Sequence, residues 1–275
     1  MIKSRSAGYH LALSFALASA VFVPQVVLAA DDTPPPTAAS AGVLVNLTTP
    51  EIVGFEQASA RADLRSFAGA DNTVYINGGL QYGIARNWQL GFAGSFSKFQ
   101  TYAMPGGGTL RYAGSDLELT GKYATKMSGK YSLSGQVGLS FPNTPAQKST
   151  HLTLGASAGV SPVSNFNVYL NPRAVLITNN SLFGLGLGAT FKMSSTVTWF
   201  AEYTQMLAGS NTIDINTGDL KTRGIYGVGV RYLVANHKIS VDLGWTNGLG
   251  FTTGSSLTPG IGDSSAWYAA INFKQ

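Results

Sequence analysis

Cysteine is absent from all 275 residues, so neither a disulfide framework nor a thiolate metal site can be built. Charge is scarce. Asp, Glu, Lys and Arg make up only 11% of the chain, less than half the roughly 25% of soluble domains, which argues against an exterior that faces water throughout. Long apolar runs are missing too: after residue 30 none approaches the roughly 20 residues of a spanning helix. Basic residues exceed acidic ones by 18 to 13, but they are scattered singly. Without the run or stripe that a phosphate backbone needs, no nucleic acid is expected as a partner. Histidine occurs only as His10, His151 and His237, each without a second histidine close in sequence, and neither a metal nor a cofactor is implied.

What is present starts with an export signal. Lys3 and Arg5 form a basic start, Leu11 to Val27 an apolar stretch, and Val27-Leu28-Ala29-Ala30 a small-residue exit. Residues 1–29 therefore read as a cleaved signal peptide. Asp31 to Ser40, with Pro34-Pro35-Pro36, is a linker with too little apolar surface to fold alone. Ala41 to Val53 follows, with Val43, Leu44, Val45, Leu47, Ile52 and Val53. Residues 30–53 form either a periplasmic linker, strapped along a rim or disordered, or a plug inside a barrel; the strap is the expected course.

From residue 54 to 275 one pattern dominates. Val74, Ile76, Leu80, Tyr82 and Ile84 share a face with Gly78, while Tyr75, Asn77, Gly79, Gln81 and Gly83 share the other. Only a strand has that two-residue period. After a tight turn at Ala85 to Asn87, Trp88, Leu90, Phe92 and Phe96 alternate with Gln89, Gly91, Ala93 and Ser95. Each arm is long enough to cross a hydrocarbon layer when tilted, at roughly 9 to 11 residues. The unit recurs to Phe273, giving about twelve strands, an even number that suits a closed bacterial barrel. Pro172 sits inside one run and predicts a bulge or a weak strand end.

The connections alternate in length. Those at Ala85 to Asn87, Ser161 to Ser164 and Met193 to Ser195 are short, whereas Phe99 to Leu110, Leu207 to Leu220 and Asn247 to Asp263 are long and polar. Short turns belong to the periplasm and long loops to the exterior, which puts both termini in the periplasm. In hydrocarbon an unpaired backbone group costs several kcal/mol, so the sheet must close on itself. The expected fold is an all-β, transmembrane, antiparallel up-and-down β-barrel in the outer membrane of a Gram-negative cell. Trp88, Phe96, Tyr131, Phe141, Phe191, Tyr232, Trp245, Trp267 and Phe273 lie toward strand ends, where rings form a girdle against lipid and lipopolysaccharide.

Gly79-Leu80-Gln81-Tyr82-Gly83-Ile84 followed by Asn87-Trp88-Gln89-Leu90-Gly91 resembles the outer-membrane barrels of the MetA-pathway of phenol degradation family. The resemblance implies an exported, channel-like protein linked to hydrophobic or aromatic compounds. The last strand, with Ile271 and Phe273, resembles the C-terminal signal read by the barrel-assembly machinery. It departs from that pattern in Tyr268, where glycine is usual, and in Lys274-Gln275 after the aromatic.

The inward set is Arg61, Asp63, Arg65, Asp116, Glu118, Lys122, Arg173, Lys192, Glu202, Arg231 and Asp242. These side chains either line a pore or brace a small barrel. The glycine ladder of Gly184, Gly186 and Gly188, with Gly227 and Gly229 later, favours open volume beside them. A narrow channel for passive diffusion of small solutes is the leading expectation, with no energy source implied. A plugged structural or surface-binding barrel is the alternative. No enzyme is expected. A lipid-modifying enzyme is the remaining alternative, with Ser149 or Thr150 beside His151 as its candidate pair. Gly106-Gly107-Gly108 lacks the lysine and hydroxyl residue of a phosphate loop and reads as a flexible outer loop.

Overall fold

Alternation of apolar and polar side chains becomes a sheet whose two faces meet different media. The computed structural model describes residues 43–68, 73–97, 100–103, 109–112, 114–128, 130–143, 149–234 and 238–275. The signal peptide, the linker up to residue 42, His237 and Gly106 to Gly108 lie outside the described residues.

The first strands are β1 (Ala58–Phe67), β2 (Val74–Ala85), β3 (Trp88–Ser97), β4 (Gln100–Ala103), β5 (Thr109–Tyr112) and β6 (Ser115–Ser128). Next come β7 (Tyr131–Asn143), β8 (His151–Val163), β9 (Phe166–Leu176), β10 (Leu182–Lys192) and β11 (Val197–Ala208). The chain closes with β12 (Thr212–Ile213), β13 (Leu220–Lys221), β14 (Ile225–Val234), β15 (Ile239–Thr246) and β16 (Ala266–Lys274). Twelve of them form a closed barrel in the order β1-β16-β15-β14-β11-β10-β9-β8-β7-β6-β3-β2. β1 pairs with β16 antiparallel, so no edge remains among the twelve. The short pairs β4–β5 and β12–β13 are hairpins within two of the long connections.

Burial is inverted relative to a water-soluble protein. Leu80 is 60% exposed and Ile76 58%, while Arg65 and Asn77 are completely covered. The apolar face points out and the polar face in, the arrangement a hydrocarbon exterior imposes. Both ends of the barrel chain lie together, with the Gln275 amide donating to the Ala58 carbonyl at 2.9 Å.

No bulge forms at Pro172. The register from Gly155↔Arg173 to Ala158↔Leu170 is continuous, but the residues between are unpaired. Proline has no amide proton to give. The side chain of Asn171 donates instead to the Ala156 carbonyl at 2.6 Å, so a neighbour's amide satisfies the acceptor without shifting the strand.

Candidate functional site: the lumen of the barrel

The inward charged side chains divide into two groups with different partners. One is a chain of ion pairs along the wall. Arg231 meets Asp242 at 2.7 Å, Arg61 meets Asp242 at 3.2 Å and Asp63 at 3.8 Å, and Arg65 meets Asp63 at 3.1 Å. These five residues come from β1, β14 and β15, so the pairs run laterally between near neighbours. They brace the wall, one of the two roles expected of the inward set.

Asp116, Glu118 and Lys122 on β6, Arg173 on β9 and Glu202 on β11 make the second group. All five are buried, and each has a partner on one or both of two pieces of chain that enter the barrel. Lys192 belongs to neither group: it is exposed at the end of β10.

The first insert is the N-terminal segment. Residues 43–53 do not run along the rim as a strap; Leu44, Val45, Leu47 and Val53 are at most 2% exposed within the lumen. The reason is a tight turn, closed by the Leu44 amide donating to the Leu47 carbonyl at 2.9 Å. That turn aims three successive amides at one carboxylate. Val45, Asn46 and Leu47 donate to Glu202 at 3.1, 2.7 and 3.1 Å, and Asn46 Nδ2 adds a fourth bond at 2.6 Å. Such a nest concentrates partial positive charge where an anion sits. The opposite side of the turn offers oxygens to cations. Arg65 donates to Asn46 Oδ1 at 2.6 Å and to the Val45 carbonyl at 3.1 Å, and Arg173 to the Asn46 carbonyl at 2.6 Å. Lys122 Nζ donates to the Thr49 and Glu51 carbonyls.

The apolar side chains of this insert explain the glycine ladder. A Cβ on Gly186 would stand 2.3 Å from Leu47, one on Gly188 2.8 Å from Leu44, and one on Gly227 3.0 Å from Val45. The ladder therefore does not leave the inner wall bare, as expected; it makes room for leucine and valine. Tyr169, Phe200, Tyr268 and Ala270 complete that cluster.

The second insert is the connection between β15 and β16, which folds inward although its Gly, Ser and Thr content reads as an exterior loop. Its α-helical turn, Thr253–Ser256, is capped by Thr252, whose Oγ1 accepts from the Ser255 amide. Thr252 donates to Asp116 at 2.5 Å and the Thr253 amide to Glu118 at 2.7 Å. Leu257 is fully covered and fills the space over Gly184. The two inserts share anchors: Arg65 also donates to the Gly248 carbonyl at 2.7 Å, and Arg173 to Ser256 Oγ at 2.5 Å. Asn46 stands between them, with Nδ2 also donating to Thr246 at 3.0 Å. Charges for which no close ion pair is seen among the described residues are thus met by the dipoles of the inserts, amides and hydroxyls on the anions, carbonyls on the cations.

Space persists on the other side of the lumen. A partly open cavity of about 60 Å³ adjoins Gly79, Gly91, Gln81, Gln136, Arg61 and Phe251.

On the outside, Trp88, Phe96, Tyr131, Phe141, Phe191, Tyr232, Trp267 and Phe273 are each 44% exposed or more. Trp245 is half-buried against Trp267, ring to ring at 4.6 Å. His151 faces inward and is buried, whereas Ser149 and Thr150 are exposed. Ser140, its cross-strand neighbour, donates to Asp116 at 2.6 Å. A lipid-facing serine–histidine pair is therefore not assembled there.

Asn46, Asn171, Thr252 and Leu257 were not among the expected functional residues. Only Asn46 carried a usable signal, a lone amide in the middle of an otherwise apolar segment.

The class this fold defines is the closed, twelve-stranded antiparallel β-barrel with an apolar exterior. No family model matches the chain, and no curated protein matches it. Among solved structures it is similar to the NanC porin in its rhombohedral crystal form, with a TM-score of 0.54 and 10% identity over 79% of this chain and 100% of that one. It is similar also to the KdgM porin, solved alone and in complex with disordered oligogalacturonate. There the TM-score is 0.51 and the identity 8%, over 79% of this chain and 98% of that one. What is shared at such identity is the architecture.

Proposed function

We propose that this chain is an outer-membrane channel for passive diffusion of small solutes, closed in this conformation by two inserts. One observation carries the reading. Residues 43–53 sit in the lumen but belong to no barrel strand; side chains of the wall hold them, through Glu202, Arg65, Arg173 and Lys122. Such a segment can leave without breaking a single rung of the sheet. A permanent core would instead be woven into the ladder. The porin architecture shared with the NanC and KdgM structures supports the same reading.

In this proposal residues 1–29 are removed on export, and the termini and short turns face the periplasm. The N-terminal insert then enters from the periplasm and the loop between β15 and β16 from outside. The exposed aromatic rings meet lipid and lipopolysaccharide, and β16 presents Ile271 and Phe273 to the barrel-assembly machinery. The remaining cavity does not choose between polar solutes and the hydrophobic or aromatic ones that the resemblance to the phenol-degradation barrels implies, because amide and charged side chains border it together with Val43 and Phe251.

Planar-bilayer recording tests the proposal. The chain from residue 30 onward should show rare, small openings, and deletion of Asp31 to Val53 together with shortening of Asn247 to Ser264 should give steady conductance. A second reading, a permanently closed structural or surface-binding barrel, draws on the filling of the lumen from both ends. It predicts no conductance from the doubly shortened, folded barrel.

A further inference from the structure

Two wall arginines each hold both inserts at once. Arg65 on β1 uses all five of its N–H groups. Nε and one Nη2 hydrogen go to Asp63, and the other Nη2 hydrogen goes to the Val45 carbonyl. Nη1 divides between Asn46 Oδ1 at 2.6 Å and the Gly248 carbonyl at 2.7 Å. Arg173 on β9 divides in the same way. Its Nη1 donates to the Asn46 carbonyl at 2.6 Å and to Ser256 Oγ at 2.5 Å, while Nη2 donates to Thr204 Oγ1 at 2.8 Å. Asn46 belongs to the N-terminal insert, Gly248 and Ser256 to the loop between β15 and β16. The two pieces also meet directly, since a Cβ on Gly248 would stand 2.4 Å from Asn46 Oδ1.

We infer that the two inserts are coupled through Arg65 and Arg173, so that the lumen has one gate made of two pieces instead of two gates in series. This deepens the channel reading and rests on it for the sides from which the inserts enter. The sign of the coupling follows from the donors. Each Nη1 carries two N–H groups, one for each insert, so the inserts do not compete for them. Each insert instead prepares the place of the other. An arginine already held by one insert has given up its rotamer freedom before the second docks. Departure of either insert leaves donors on both guanidinium groups without acceptors, and the remaining insert is then held by looser, partly unmatched side chains. Docking of one therefore favours docking of the other, and by linkage the factor is the same in both directions. Whatever draws the loop between β15 and β16 outward is felt at residues 43–53 on the opposite side of the membrane. Arginines that merely scaffold the wall would hold each insert separately and leave the two effects additive.

The test reads amide exchange by mass spectrometry on the full chain from residue 30 in detergent, and so needs no conductance. Thr252→Val loosens the outer insert at its Asp116 anchor, and Thr252 hydrogen-bonds to neither arginine. Exchange in residues 44–47 should quicken at least threefold along with that in residues 253–256. Glu202→Ala, which removes the anchor of the N-terminal insert, should quicken residues 253–256 at least threefold in return. In an Arg173→Met background the transfer should shrink in both directions. Where that barrel does not fold, Ser256→Ala, which takes one acceptor from Arg173, carries the comparison. Quickening confined to the insert whose anchor was changed, or transfer indifferent to these backgrounds, overturns the coupling. If Thr252→Val loosens neither insert, replacing Asn247 to Ser264 by a short turn removes both outer acceptors, and unchanged exchange in residues 44–47 is then the overturning result. Coupled exchange without conductance from the doubly shortened barrel keeps the coupling and removes the channel; conductance there with uncoupled exchange does the reverse.

Discussion

The two halves of the lumen are built alike and occupied differently. On the side of β10, β11 and β14, inward glycines receive Leu44, Val45 and Leu47, and the wall is covered. On the side of β2 and β3, inward Gly79 and Gly91 border a cavity. There the nearest groups to a new Cβ are a Phe251 ring atom and the Thr120 hydroxyl, at 2.8 and 2.5 Å. A glycine facing inward therefore says only that the wall is thin at that point. Whether the thin place is a pore or a socket depends on what another part of the chain sends into it.

The largest effect should follow from removing the anchor of the filled side. Glu202→Ala leaves three backbone amides and Asn46 Nδ2 without their acceptor. A buried donor left unsatisfied costs about 1–3 kcal/mol, and here the insert can avoid that cost by leaving. Faster proteolysis within residues 43–53 and frequent channel openings are expected, with the β ladder intact by circular dichroism. An unchanged protease pattern would mean that the apolar socket alone holds the insert.

A direct comparison of the two halves comes next. Gly186→Val places methyl groups against Leu47, which is fully covered and has nowhere to go. Overpacking of that kind costs about 1–3 kcal/mol, and the outcome should be partial release of the insert and increased conductance. Gly91→Ala meets only a hydroxyl that can turn toward the cavity, so its effect on opening and on thermal stability should stay within about 0.5 kcal/mol. Equal effects of the two would erase the distinction between socket and cavity.

The contrast also marks what can be read from the chain before folding. Lipid on one side and water on the other force a two-residue period on every strand, so the alternation of β2 and β3, the number of strands and the inward placement of Arg61 or Glu202 were legible. The N-terminal insert was legible only as the less expected course of residues 30–53, and the second insert not at all, because nothing periodic marks them. Asn46 finds Glu202 156 positions away and Thr252 finds Asp116 136 positions away. A polar loop such as Asn247 to Asp263 has the same composition whether its hydroxyls meet water or buried carboxylates. Pro172 was legible as a missing donor, but not the Asn171 side chain that replaces it.

The smallest effect belongs to a region outside both halves. Asp214 and Lys221 pair beside the β12–β13 hairpin, and the Asn216 amide also donates to Asp214 at 2.8 Å. Lys221, and then that amide, hold the Asp214 carboxyl below its ordinary value of 3.8. A lowered carboxyl pKa contributes stability that is present above the ordinary value and is lost as pH falls through the lowered one. The pair is at the surface and screened, so the contribution is local and declines with salt. Amide exchange in residues 212–221 should therefore quicken in acid, relative to the barrel strands, and Asp214→Asn should reproduce that quickening at neutral pH. The occupancy of the lumen should respond little, since the pair reaches the second insert only at one remove, through Asn211, whose amide donates to the Lys221 carbonyl and whose Nδ2 donates to the Leu257 carbonyl at 2.8 Å. A change in conductance in Asp214→Asn would show that loosening this hairpin is passed through Asn211 to the second insert, and that the filling of the lumen depends on the loops as well as on the wall.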